Sequence, residues 1–89
     1  MRAIVTVVGK DQVGIIASVC TFLASYHVNV LDIRQTVMQG YFTMMMVTDV
    51  SGSNSPVAEL AQQLEEKGKQ MNLSIRLQRE DIFDAMHRV

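Results

Sequence analysis

AIVTVVGKDQVGIIASVCTFLASYHVNV, residues 3–30, changes its hydrophobic pattern twice, and those changes decide the fold. Its β-branched opening ends at a glycine, which predicts a strand over Ala3–Val8. That strand is apolar on both faces, so we expect it to lie in the centre of a sheet. From Gly14 the pattern changes to the three- and four-residue steps of an amphipathic helix; the recurring residues are Ile16, Val19, Cys20, Leu23 and Tyr26. A second strand then begins.

The residues flanking this helix suggest how it starts and ends. Asp11 is a suitable N-cap because its carboxylate accepts hydrogen bonds from unpaired backbone N–H groups. His27 follows in the last turn, where the helix dipole favours a cation. Beyond it, Val28–Gln39 mixes apolar with polar residues, which predicts an exposed or edge strand. Gly40 marks a hairpin turn, and Tyr41–Val50 is predicted to be a long strand that is apolar on both faces.

The second half of the chain repeats the helix–strand order. After the loop Ser51–Pro56, we expect Ser55 to cap a second helix with Pro56 at its first position. Gly68 falls on the apolar stripe of this helix, which is therefore predicted to run to about Asn72, with the glycine allowing a close approach to the sheet. The alternative is that Gly68 ends the helix. The remaining elements are a strand at Leu73–Gln78 and a short helix at Asp81–Arg88 closed by His87 and Arg88.

The order βαββαβ predicts an α+β, ferredoxin-like fold. Right-handed crossovers place both main helices on one face of a four-stranded antiparallel sheet. We assign residues 1–79 to this core and residues 80–89 to a short C-terminal helix of the same domain. The opposite face stays bare although its central strands are apolar, and such a patch requires cover. The terminal helix, a second subunit or both are the candidates, and on this ground we predict a homodimer.

Composition argues against several classes of function. The net charge is −1 with no basic stripe, so neither nucleic acid nor a membrane is an expected partner. Cys20 is the only cysteine, which excludes an intrachain disulfide and a cysteine-rich metal site and favours a reducing, cytoplasmic location. Met1–Gly9 lacks a signal-peptide cleavage pattern, and no apolar run approaches the roughly 20 residues that span a bilayer. We expect no cofactor and no metal.

The chain also shows no catalytic constellation. Paired carboxylates and a nucleophile with its base are not visible, and Cys20 falls on the buried helical stripe, where thiols are usually inert. An acylphosphatase-like enzyme of this fold needs an arginine in the first loop, where Lys10 is the only cation. An RNA-recognition motif stacks bases on aromatic residues of its central strands, and Thr43 stands where the second of these is needed. We therefore predict that the protein is not an enzyme.

The turn Lys10–Ile16 carries the remaining signal. A turn that opens a helix presents free N–H groups able to hold a carboxylate. Gly14 has no side chain, so a ligand can come close; the alternative is tight helix–strand packing.

The run Asp11-Gln12-Val13-Gly14-Ile15-Ile16-Ala17, followed by His27-Val28-Asn29-Val30, resembles the ACT domain over residues 1–79. Residues 32–37 and 41–46 resemble small stand-alone ACT proteins in particular and, more distantly, the glycine-cleavage repressor type.

The resemblance implies a regulatory module that holds an amino acid between two subunits. Its ligand site then maps onto the first loop and the start of the second strand: Asp11, Gln12, Val13, Gly14, Ile15 and Asn29. An asparagine amide can donate to a carboxylate and accept from an amine, although Asn29 also suits a turn with left-handed backbone. Asp11 is acidic where many members have a neutral amide, so it opposes a ligand carboxylate but pairs with an ammonium group. The alternative function is a protein-interaction or dimerisation module with a degenerate site.

Overall fold

The computed structural model describes residues 1–86 and confirms the predicted order of elements. The strands and helices are β1 (Arg2–Lys10), α1 (Ile15–Ser25), β2 (Asn29–Met38), β3 (Tyr41–Asp49), α2 (Val57–Gln70), β4 (Leu73–Arg79) and α3 (Glu80–Met86). His87 and Arg88, which were expected to close the terminal helix, lie outside the described residues. Among the helices of residues 1–86, none is long and apolar enough to cross a membrane.

The sheet has the strand order β2-β3-β1-β4, and all its neighbouring strands are antiparallel. β1 and β3 are central and β2 is an edge strand, as their patterns predicted. Gln39 and Gly40 form the two-residue β2–β3 turn with φ of 51° and 82°, the pair of positive values that a type I′ hairpin requires. Because β1 and β2 both run antiparallel to β3, their carboxyl ends lie at the same end of the sheet, next to the first loop.

One face of the sheet carries the core, and both main helices pack on it. The fully buried side chains of α1 and α2 belong to one cluster with those of the strands; they include Val19, Leu23, Leu60, Leu64, Val5, Val7, Met44, Met46 and Ile75. The apolar stripe of each helix and alternate residues of each strand together form this core. Hydrophobic burial therefore fixes which side of each helix and strand faces inward.

α2 continues through Gly68, as the apolar stripe predicted, and ends at Gln70. A β-carbon at Gly68 would lie 2.7 Å from the carbonyl oxygen of Leu73 and 3.0 Å from the side chain of Ile75. The glycine therefore allows α2 to approach β4 more closely than any other residue would. The alternative, that Gly68 ends the helix, is wrong.

Three details of the helix ends correct the sequence predictions. Asp11 does not cap α1; Gly14 is the N-cap, and no side chain makes the capping hydrogen bond. Ser55 does not cap α2, whose N-cap is Pro56. His27 lies beyond the end of α1, with φ of 60°. In addition, α1 buries Ile15 and leaves Ile16 exposed, so its buried stripe begins at Ile15 and not at Ile16.

The face of the sheet opposite the helices is partly covered. α3 contacts β1 and β4, and Ile4 on this face of β1 is buried. At the other end of the same face Val8 remains 44% exposed, and on β3 Met45 is 40% exposed. Apolar exposure on this face lies on the two central strands and at Met38 near the end of β2, whereas polar residues such as Arg34 and Arg76 occupy the middle of the flanking strands.

Thr48 is a buried polar residue in this core, and its replacement by valine is expected to lower the free energy of unfolding by about 1 kcal/mol. Its hydroxyl donates a 2.8 Å hydrogen bond to the carbonyl oxygen of Ala3, and valine keeps the shape but loses that bond. Thr43→Val, on the exposed face of the same strand, is the matched control and should change stability by less than about 0.5 kcal/mol. Urea unfolding measures both; equal losses would contradict a role for this hydrogen bond.

Candidate functional site

A cavity of about 270 Å³ lies between the start of α1 and the edge strand β2. Its lining comes from the first loop, the first turn of α1 and the facing hairpin: Asp11, Gln12, Gly14, Ile15, Ile16, Ala17, Gln35, Val37 and Phe42. The volume falls just below the roughly 300–1,000 Å³ of pockets for drug-sized ligands, so the cavity suits a small molecule.

Gly14 shapes the entrance to this cavity through its backbone. Its φ of 89° belongs to the left-handed region that favours glycine,. Apart from Gly14 and its chain neighbours, no atom of residues 1–86 lies within 4 Å of where a β-carbon would stand, so tight helix–strand packing is not the reason for a glycine here. The first intrahelical bond runs from the N–H of Ser18 to the carbonyl of Gly14 over 2.9 Å. The N–H groups of the first turn, on residues that line the cavity, are left without helical partners.

Asp11 places a carboxylate at the same cavity. Its backbone N–H donates a 2.8 Å hydrogen bond to the carbonyl of Gly40, which ties the first loop to the hairpin. Within the described part of the chain, its carboxylate has no hydrogen bond or ion pair. The cavity therefore combines the positive end of a helix dipole with one negative side chain. The described residues contain no group of three or more His, Cys, Asp or Glu placed to hold a metal ion.

The other predicted loop residues have different roles. The side-chain amide of Gln12 donates a 2.9 Å hydrogen bond to the carbonyl of Met71, which links the loop to the end of α2. Val13 is fully exposed and does not line the cavity, while the side chain of Ile15 is buried in the core. Ile15 is thus available to a ligand through its backbone rather than its side chain.

Asn29 is not brought together with the first loop in one protomer. It lies at the start of β2, eight residues before Val37, which at about 3.3 Å per residue places it roughly 25 Å from the cavity. It pairs with Asp49 on the face of the sheet away from the helices. Hydrogen bonds from the side chain and backbone of Ser51 lower the pKa of the Asp49 carboxyl. Asn29 in its own protomer therefore lies opposite a carboxylate that is already paired with the N-terminal ammonium group of Met1, 3.5 Å away.

Sequence reasoning missed the far wall of the cavity. Gln35, Val37 and Phe42 contribute to it, and Val37 and Phe42 are direct partners in the β2–β3 register. Their position follows from topology, because β2 ends at the same end of the sheet as β1, with β3 between them, and alternate β2 residues lie on the helix-bearing face. A signal was present in the strand alternation, but only the strand order connects it to the first loop.

Comparison with known proteins places this geometry in a family. A profile described as the ACT domain matches residues 2–78. A UPF0237 protein of Clostridium acetobutylicum is 53% identical over 89 residues, covering 100% of both chains. An ACT domain protein from Streptococcus pneumoniae has a structure similar at a TM-score of 0.83, with 42% identity over 98% of each chain. A candidate glycine cleavage system transcriptional repressor matches at a TM-score of 0.73 and 25% identity, over 86% of this chain and 44% of its own.

Proposed function

This chain belongs to the ACT-domain family and to its UPF0237 proteins, and on that basis we propose that it is a non-catalytic regulatory module that binds an amino acid at the interface of a homodimer. ACT domains are regulatory ligand-binding modules; the resemblance implies an amino acid as the ligand, and the charges of the cavity support that class. The observation that carries this proposal is that Asp11 and the unpaired N–H groups at the start of α1 line one small cavity.

The charges of the cavity match those of a free amino acid. The N–H groups of the first helical turn suit an α-carboxylate. The unpaired carboxylate of Asp11 suits an α-ammonium group, as a charge-assisted hydrogen bond. Because Ile16, Val37 and Phe42 form the apolar part of the lining, the side chain of the ligand would face them. A simple anion lacks the ammonium group, and Asp11 would repel it.

The position of the cavity supports a dimer. Gln35 and Val37 are residues of β2, an edge strand with an unpaired side. If two copies pair through this edge in antiparallel fashion, the start of one β2 lies beside the end of the other. Asn29 of the partner subunit would then lie near the end of β2 that borders the cavity, still opposite its own Asp49 on the face of the sheet away from the helices. A ligand that contacts both subunits can shift the equilibrium between two arrangements of the dimer only if it binds one arrangement more tightly than the other.

Thermal unfolding in the presence of each common amino acid, at fixed protein concentration, tests this proposal. A ligand at 100 times its dissociation constant adds about 2.7 kcal/mol, and for a domain of this size that raises the midpoint by about 10 °C or more. We expect one or two amino acids to produce such a shift, and their decarboxylated and deaminated analogues to produce none. A shift with an analogue that lacks the ammonium group would contradict the role of Asp11.

Gly14→Asn in the same experiment locates the site. Asparagine tolerates a positive φ better than most residues, and its side chain would fill the open space in front of α1. Gly40→Asn is the matched control, because Gly40 also has a positive φ and open space around it but does not line the cavity. We expect the ligand shift to disappear only in Gly14→Asn. Asn29→Ala should weaken the shift, and an unchanged shift would remove Asn29 from the site.

The alternative, a protein-interaction or dimerisation module with a degenerate site, is favoured by the acidic Asp11 at the helix N-terminus, where a bare carboxylate ligand would be repelled. It predicts no midpoint shift with any amino acid while the dimer remains intact. That result would indicate that regulation depends on a protein partner and not on a small molecule.

A further inference from the structure

β2 is an edge strand that lacks cover on most of its surface. Of its ten residues, Val30 is half-buried and all the others are exposed, among them the large apolar side chains of Leu31, Ile33, Val37 and Met38. A long edge strand with apolar side chains is a template for pairing with another strand. Its covering by a second copy of this chain rests on the homodimer proposed above, and the charges of the strand select how the two copies align.

The ladder between β1 and β3 determines which β2 residues direct their backbone outward. It is extended by hydrogen bonds from the N–H of Asp11 to the carbonyl of Gly40 and from the N–H of Val50 to that of Met1. Even-numbered β3 residues therefore bond to β1, and odd-numbered ones bond to β2, because bonded pairs alternate in antiparallel sheets. The β2 partners of the latter are Asp32, Arg34, Thr36 and Met38 and, beyond a register shift between Val30 and Asp32, Asn29.

Ile33, Gln35 and Val37 consequently direct their N–H and carbonyl groups away from the sheet. One contact supports this orientation directly: the N–H of Ile33 donates a 2.9 Å hydrogen bond to the side-chain oxygen Oδ1 of Asp32. The carboxylate next to Ile33 thus satisfies a donor that would otherwise be unpaired at the edge. On the other side of Ile33, Arg34 forms no ion pair with any residue of the described chain.

We propose that two copies of this chain pair antiparallel through β2 about a two-fold axis at Ile33, so that Asp32 of each protomer faces Arg34 of the other. The two Ile33 residues then form the hydrogen-bonded pair at the centre. Asp32 and Arg34 of the partner subunit occupy the adjacent non-bonded positions, where facing side chains come closest. The carboxylate of each Asp32 then binds the guanidinium group of the partner's Arg34 in place of the N–H of its own Ile33. That N–H becomes free to donate to the carbonyl oxygen of the partner's Ile33.

Neighbouring registers are disfavoured by charge. Moving the axis by one residue places either Asp32 opposite Asp32 or Arg34 opposite Arg34, and like charges directly opposite each other destabilise a strand pair. The other free edge, β4, carries Arg76 and Arg79 and no carboxylate, so pairing two copies there would accumulate positive charge. Only the axis at Ile33 forms two opposite-charge contacts between the paired strands.

Sedimentation of Asp32→Arg and Arg34→Asp, alone and mixed, tests this register. Each variant alone places like charges at both contacts, so we expect its dimer dissociation constant to rise roughly tenfold or more. An equimolar mixture restores both opposite-charge contacts in a heterodimer, as does the double variant in a homodimer. An interaction between Asp32 and Arg34 of the same strand would not be rescued by mixing. Arg76→Asp, with the same change in charge on the other edge strand, should leave the dimer unchanged.

The outcomes separate this inference from the proposed function. If the unaltered protein is a monomer, the proposed homodimer fails and the inference fails with it. If the protein is a dimer and both single variants remain dimers of unchanged affinity, the register is wrong while the homodimer stands. If the single variants dissociate and mixing does not restore the dimer, the charges act within one strand, which also overturns the register.

Discussion

Met44→Ala is expected to lower the free energy of unfolding by about 2–5 kcal/mol, because it removes a large side chain from the core and leaves a cavity. Met44 is fully buried, whereas its neighbour Met45 is 40% exposed. Since successive strand residues point to opposite faces, Met45→Ala should cost less than about 1 kcal/mol. The two variants delete the same atoms at adjacent positions, so only the face of the sheet differs between them.

Urea unfolding followed by far-ultraviolet circular dichroism measures this difference in the free energy of unfolding. In thermal unfolding, we expect the midpoint of Met44→Ala to fall by about 10 °C or more. Met46→Ala should resemble Met44→Ala, because Met46 is also fully buried. Comparable losses at Met44 and Met45 would mean that the register of β3 is shifted or that the opposite face is buried as deeply as the core.

Gly68→Ala is expected to destabilise the protein by about 1–3 kcal/mol, the range for overpacking a close contact. The new methyl group would stand 2.7 Å from the backbone oxygen of Leu73, which cannot turn aside as a side chain could. This direction is opposite to intrinsic helix propensity, on which alanine is favoured over glycine by about 1 kcal/mol. The sign of the change therefore identifies the cause.

The control for Gly68 is an exposed position of the same helix. Gln63 is exposed, and there the alanine variant should be more stable than the glycine variant by about 1 kcal/mol. Thermal and urea unfolding of Gly68→Ala, Gln63→Ala and Gln63→Gly give the comparison. A gain in stability at Gly68 would show that α2 and β4 have room to separate.

The first loop shows how far the sequence could locate the site. The helix start after Asp11 and the glycine at position 14 were visible as a pattern, and the resemblance to ACT domains gave them a function. That Asp11 does not cap α1 was not predictable, because several residues before a helix can satisfy its N–H groups and the loop path chooses among them. That path depends on the hydrogen bond between Asp11 and Gly40, which joins residues far apart in the chain.

Asn29 illustrates the opposite case. In sequence it stands at the start of a strand and belongs to the same motif as the loop, which suggested one site. In the fold it lies at the far end of β2, so any shared site requires a second copy of the chain. A local motif carries no information about distance across a sheet, since that distance is fixed by strand direction and order.

By itself, the sequence determined the number, type and order of the elements, the central positions of β1 and β3, and the class of fold, and it favoured the passage of α2 through Gly68. These follow from hydrophobic periodicity and from the permissive backbone of glycine, which are properties of short segments. Only the tertiary structure decided where the helices begin, that Val37 and Phe42 complete the cavity, that Val13 does not line it, and which β2 groups face outward. The physical reason is that these features depend on register and on contacts between distant segments, where packing and hydrogen bonding choose among locally equivalent alternatives.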